Sequence, residues 1–150
     1  MHIKRIDEME DRTRIVFTNP RNQERFERFK AICDDEGWSF DCSADKNRFW
    51  VELGKYSPAG QDFFCTIEDK LNNPGDIYFG KLLDAYCDTY DPEEEADLWS
   101  EPTGEFDDEG REIRTGKNGA PHDYEDIVAD MQECRENVQK LAKRLDRERI

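Results

Sequence analysis

Carboxylates at helical spacing are the residues of this chain whose pattern could do chemistry. Asp84 and Asp88 stand four residues apart, and Asp91 continues their line. Glu93, Glu94, Glu95 and Asp97 follow, with Asp107, Asp108 and Glu109 a little further on. Carboxylates one helical turn apart lie about 6 Å apart along the axis, a spacing similar to that of successive phosphates on a nucleic-acid strand. Like charges at that spacing cost a helix a few tenths of a kcal/mol per pair. From Asp84 to Glu112, thirteen acids stand against one base, Arg111, which leaves −12 of the chain's net −15 in one fifth of its length. Charge that dense is either a solvated face or an answer to a basic partner.

Other chemistries find little to work with. A nucleophile needs a base to activate it, and the two histidines are His2, near the start, and His122, beside Pro121 in a surface or capping context. No Gly-x-Ser-x-Gly, P-loop or Gly-x-Gly-x-x-Gly pattern occurs. Acids are so abundant that no pair stands out for glycoside chemistry. Glu105-x-Asp107-x-Glu109-Gly110 resembles the first half of a calcium loop, but its twelfth position is Gly116, where a bidentate Glu is required. Cys33, Cys42, Cys65, Cys87 and Cys134 are odd in number, widely spaced and lack a Cys-x-x-Cys pair, which argues for reduced thiols and against zinc. The expectation is a protein that is not an enzyme and uses no metal or cofactor. The acidity argues against direct binding to nucleic acid or an anionic membrane. Met1 to Glu8 offers no apolar signal segment, and no run is long enough to span a bilayer, so the expected location is the cytoplasm.

The elements that must position these acids follow from periodicity. Charged residues are 39% of the chain, against roughly a quarter in typical domains, yet nine Phe, five Tyr and three Trp supply a core. Arg14–Thr18 reads as a β-branched first strand. Asn19-Pro20 opens a helix carrying Phe26, Phe29, Ile32 and Cys33, and Gly37 closes it. Trp38–Ser43, Arg48–Tyr56 and Gln61–Glu68 read as a meander of antiparallel strands joined by Ala44–Asn47 and Ser57–Gly60. Asn73–Asp76 breaks the chain and caps a helix with an inward stripe of Leu82, Leu83, Tyr86 and Cys87. Asp91-Pro92 opens a second helix, with Ala96 and Trp99 inward. Ser100 to Ala120 is a long loop or a small hairpin about Asp107–Gly110. Ile127, Met131, Cys134, Val138, Leu141 and Leu145 form a heptad seam, widened by Tyr124, Val128 and Ala142, on a helix over about 122–148. That seam packs on its own domain or joins two copies. The predicted fold is a single α+β domain over 1–150, an antiparallel sheet of about four strands covered by helices, with an acidic segment at 84–120 and a long C-terminal amphipathic helix.

Phe49-Trp50-Val51-Glu52-Leu53, Tyr56–Phe63, Tyr90–Trp99 and Gly119-Ala120-Pro121 before an acidic amphipathic helix carry a resemblance over about Phe49 to Leu145. They resemble small acidic proteins of unassigned function carried by phages and mobile elements of gut bacteria. The resemblance implies a mobile-element origin, where small acidic proteins often inhibit host nucleases by occupying their DNA sites. The expected activity is inhibition of a bacterial nucleic-acid-targeting defence complex, a CRISPR effector before a restriction enzyme. The acids from Asp84 to Asp97 and Asp107 to Glu109 would imitate DNA against the basic groove of a nucleic-acid-binding effector or nuclease. The rival expectation is an interaction protein that forms a homodimer through Ile127, Met131, Val138, Leu141 and Leu145, its acids serving solubility.

Overall fold

The computed structural model describes residues 15–116 and 123–150. His2, Arg14, His122 and the Gly119–Pro121 motif lie outside them. Four helices and two antiparallel sheets make an α+β fold. The helix α1 (Pro20–Asp35) starts where Asn19 Oδ1 accepts from Arg21 N–H at 3.0 Å. It buries Phe26, Phe29, Ile32 and Cys33 and ends at Gly37, whose φ of +86° is the left-handed turn that glycine adopts without strain. The strands β1 (Ser39–Ala44), β2 (Arg48–Tyr56) and β3 (Asp62–Lys70) form a meander with β2 central. Alternation does what the sequence predicts: Phe49, Val51 and Leu53 point inward from β2, and Phe63, Cys65 and Ile67 from β3. The helices α2 (Phe79–Thr89) and α3 (Pro92–Trp99), a hairpin β4 (Ser100–Phe106) and β5 (Glu112–Gly116), and the helix α4 (Tyr124–Arg147) complete the order.

Two expectations are corrected. Ile15 to Phe17 alternates buried, exposed, buried, as a strand would, but joins no ladder among the described residues, so the main sheet has three strands. One side chain stands in for the missing neighbour: Phe17 N–H donates to Gln23 Oε1 at 2.7 Å, and Gln23 Nε2 donates to the Ile15 carbonyl at 3.0 Å. Asp76 does not cap α2. Its carboxylate is held by Arg21 and Arg25, the N-cap position falls on Tyr78, and the Ile150 carbonyl accepts from Phe79 and Gly80 N–H. The buried Asn22 fixes the preceding loop, donating to the Gly75 carbonyl at 2.9 Å and accepting from Ile77 N–H at 2.8 Å.

Six phenylalanines (Phe17, Phe26, Phe29, Phe40, Phe49 and Phe79) form the aromatic heart of the core, with Phe29 and Phe79 stacked at 4.7 Å. On α4, Ile127, Met131, Val138, Leu141 and Leu145 are at most 1% exposed within this one chain. The heptad seam packs against α2 and α3 and offers no open face for a second copy. This corrects the dimer-seam expectation: α4 is the spine that the acidic segment covers. All five cysteines are buried thiols. Burial pushes Cys87 up to about 11 and Cys65 and Cys134 to about 12, so they rest as neutral core residues. Among the described residues no helix is long and apolar enough to cross a membrane.

Candidate acidic interface

The segment that carries the acids folds back along α4. Gly80, at the start of α2, sits so close to α4 that an added Cβ would lie 3.1 Å from the Ala142 carbonyl. Further on, Arg135 Nε donates to the Cys87 carbonyl at 3.0 Å, and Tyr124 Oη donates to the Glu93 carbonyl at 3.1 Å. The path therefore runs from the end of α4 to its beginning, about 35 Å at 1.5 Å per helical residue.

Along that path the carboxylates have different duties. Asp84 is half-buried against Asp146 of α4. Burial, then the Asp146 charge, holds its carboxyl above the ordinary value, and Lys81 only partly offsets them. Asp91 caps α3, its Oδ1 accepting from Glu93 N–H at 3.0 Å. Glu93 and Glu94 occupy the first turn of α3, where the helix dipole favours them. Glu95 Oε2 accepts from Trp99 Nε1 at 2.9 Å. Asp107 shapes the hairpin turn: its Oδ1 accepts from the N–H groups of Glu109 and Arg111, both at 2.9 Å, and Gly110 supplies a φ of +81°. Those bonds, the Arg111 N–H first, hold the Asp107 carboxyl below its ordinary value. A carboxylate committed in this way shapes a β-turn, whatever its likeness to a calcium loop. Among the described residues, the carboxylates of Asp88, Glu93, Glu94 and Asp108 make no hydrogen bond or ion pair.

Two arginines bind the far end together, and sequence reasoning missed both. Arg111 reaches Asp123 at 2.8 Å, Asp107 at 3.3 Å, Glu109 at 3.5 Å and Asp126 at 3.7 Å. It thereby ties the hairpin turn to the first turn of α4, where Asp123 is the N-cap and accepts from Asp126 N–H at 2.8 Å. Arg114 donates to Ser100 Oγ at 2.9 Å, lies 5.3 Å over the Tyr124 ring and approaches Asp97 at 3.8 Å. Burial and then the charges of Asp97 and Glu93 push the Tyr124 hydroxyl up. Glu125 and Asp126 thus join the acidic surface, while Asp123 is buried beneath it. The signal for Arg111 was its isolation: the single base in a run of thirteen acids is the one residue able to gather them.

The structure therefore brings Asp91, Glu93, Glu94, Asp97, Asp107, Asp108 and Glu109 toward the beginning of α4. It leaves Asp84 near the other end, with Asp88 on the helix between. This surface presents charge and fixed geometry. No family model, curated protein or solved structure matches the chain.

Proposed function

We propose that this chain is a non-enzymatic inhibitor that occupies the basic nucleic-acid groove of a bacterial defence complex, a CRISPR effector before a restriction enzyme. The observation that carries the reading is the gathering of carboxylates at the beginning of α4, held there by Arg111 and Arg114. Seven of the ten candidate carboxylates gather there, with Asp88 on the helix beyond and Asp84 near the other end of α4. Four of them, Asp88, Glu93, Glu94 and Asp108, have no partner among the described residues and are available to an incoming cation. The Arg111 and Arg114 contacts support the same reading, because an array held in place loses less freedom when a groove closes on it. The resemblance of Phe49 to Leu145 to phage-borne acidic proteins points the same way.

The test is competition. The chain is titrated into DNA-binding and cleavage assays of RNA-guided effectors and of restriction enzymes, at low and high salt. Inhibition should fall steeply with salt and should be lost in the triple variant Glu93→Lys, Glu94→Lys, Asp108→Lys, whose thermal midpoint should stay near the parent's. Undiminished inhibition by the triple variant, or inhibition indifferent to salt, defeats the reading. Which class of enzyme responds decides between the effector and the restriction enzyme as the target.

A further inference from the structure

At the finishing end of α4 the charge changes sign. Exposed residues along this helix pass from Glu125, Glu133 and Glu136 to Lys140, Lys143 and Arg147. Beside that end, Arg21, Arg25 and Arg28 recur at three- and four-residue spacing on α1. With Arg149, Glu24 and Glu148 they line a hollow of about 270 Å³. A second hollow of about 400 Å³ shares Arg25 and Arg149 and adds Tyr78, Lys81 and Asp146. In a chain of net charge −15, four guanidiniums around one hollow run against the general composition.

Their internal partners do not use up this charge. Arg21 and Arg25 share a single oxygen, Asp76 Oδ1, at 3.0 and 3.2 Å. Arg25 is also fixed 4.5 Å over the Tyr78 ring. Among the described residues the ion-pair partner of Arg28 is Glu148 at 3.8 Å, and Glu148 lies nearer to Arg144, at 3.2 Å. Arg149 has no ion pair among the described residues, and Glu24 is exposed.

The backbone supplies an independent observation. Arg149 has a φ of 61° and is the one non-glycine residue with positive φ among those described. Arg149 N–H donates to the Asp146 carbonyl at 3.1 Å and Ile150 N–H to the Leu145 carbonyl at 2.8 Å. Gly37 and Trp38 make the same pair of bonds where α1 ends, to Asp34 at 3.0 Å and Cys33 at 2.9 Å. Any side chain beyond glycine is strained there, and strain retained beside a hollow points to work done by the side chain. Neutralising the helix dipole does not explain Arg149, since Arg144 and Arg147 already stand in the last turn.

We propose that this hollow binds a phosphate-bearing small molecule, its phosphate oxygens held by Arg25, Arg28 and Arg149. Guanidinium forks match phosphate oxygens two bonds at a time. The second hollow falls in the size range of small-ligand sites and the first just below it, and Tyr78, 43% exposed, offers a ring to stack on. A nucleic-acid polymer is disfavoured, because its further phosphates would meet the acids elsewhere on the chain. This site does not depend on the acidic interface, which it meets only at Asp146, the neighbour of Asp84.

Calorimetry at fixed salt with pyrophosphate, ADP and adenosine tests the proposal. Pyrophosphate and ADP should bind and adenosine should not. Equal affinities would identify the ligand as a free phosphate species, and tighter ADP as a nucleotide. Arg149→Gly should raise the thermal midpoint while weakening pyrophosphate binding roughly tenfold or more, Arg149→Lys should bind between the parent and Arg149→Gly because it keeps the charge and loses the fork, and Arg28→Gln should also weaken binding. A stabilised Arg149→Gly that binds as tightly as the parent overturns the proposal by showing the arginine to be only a poor cap. Absence of heat from both pyrophosphate and ADP at millimolar concentration overturns it as well.

Discussion

Where α4 finishes, Phe79, whose N–H donates to the Ile150 carbonyl, carries the packing of six phenylalanine rings into the start of α2. Where α4 begins, the hairpin β4–β5 buries only Ser100 and is tied down by Arg111 and Arg114. One region is held by apolar area removed from water, a contribution that is non-directional and insensitive to salt. The other is held by a few charged contacts with at least one half-exposed partner, which salt screens in part. The contrast suits the proposed roles: a rigid base at one end and, at the other, an acidic surface that can settle against a partner.

The sharpest way to break this comparison is to cut each end. Phe29→Ala removes a fully buried ring stacked on Phe79 and should lower unfolding stability by about 3–5 kcal/mol, read from the urea midpoint. Arg111→Ala should leave that midpoint nearly unmoved. It should speed hydrogen exchange at hairpin amides while leaving α2 protected, and high salt should do the same to the parent protein. Equal losses of global stability from the two variants would mean that the hairpin belongs to the same cooperative core.

A smaller effect compares two helix ends with the same pair of closing hydrogen bonds. Gly37→Ala places a side chain at a φ of +86° and should cost about 1 kcal/mol, whereas Arg149→Gly relieves a φ of 61° and should gain a similar amount. Thermal melts of the two variants should move in opposite directions. Movement in the same direction would show that the Arg149 side chain stabilises the folded chain by more than its backbone costs.

The apolar half of the molecule was legible in the sequence because burial leaves a period. Phe49, Val51 and Leu53 announce β2, Phe26, Phe29 and Ile32 announce α1, and the seam from Ile127 to Leu145 announces α4. Caps were legible where one residue type serves one geometry, as at Asn19 and Asp91. Asp76 misled because its carboxylate found two arginines fifty-odd residues earlier, a pairing that no local pattern records. Ile15 to Phe17 misled because alternation reports which side chains are buried and is silent on whether a neighbouring strand exists. The ten acids were legible as a run. Their distribution was not: the division between Asp107, fastened to Arg111, and Glu94, free of any such bond, depends on which base the fold brings within reach.

The subtlest prediction sets two acids of the run against each other. Asp84 and Asp107 share an ordinary value of 3.8 but are shifted in opposite directions, up by burial and Asp146 in the first, down by N–H donors and Arg111 in the second. A raised value in the folded state means that ionised Asp84 opposes folding at neutral pH; that cost disappears as pH falls through its raised value toward 3.8. A lowered value means that Asp107 contributes stability above 3.8, and the contribution is lost as pH falls through the value beneath it. Acidification should therefore relieve the α2–α4 contact first and loosen the hairpin afterwards. Carboxyl titration by NMR should find Asp84 protonating before Asp107, and the reverse order would refute the assignment of the two environments. Asp84→Asn removes the charge and gives Asp146 an amide donor, so it should raise stability at neutral pH by a few tenths of a kcal/mol and leave hairpin exchange unchanged. That the gain should be so small is itself informative. A like-charge contact this cheap is readily tolerated by a fold whose stability rests on its phenylalanines, so the acidic run can be retained for work outside the molecule.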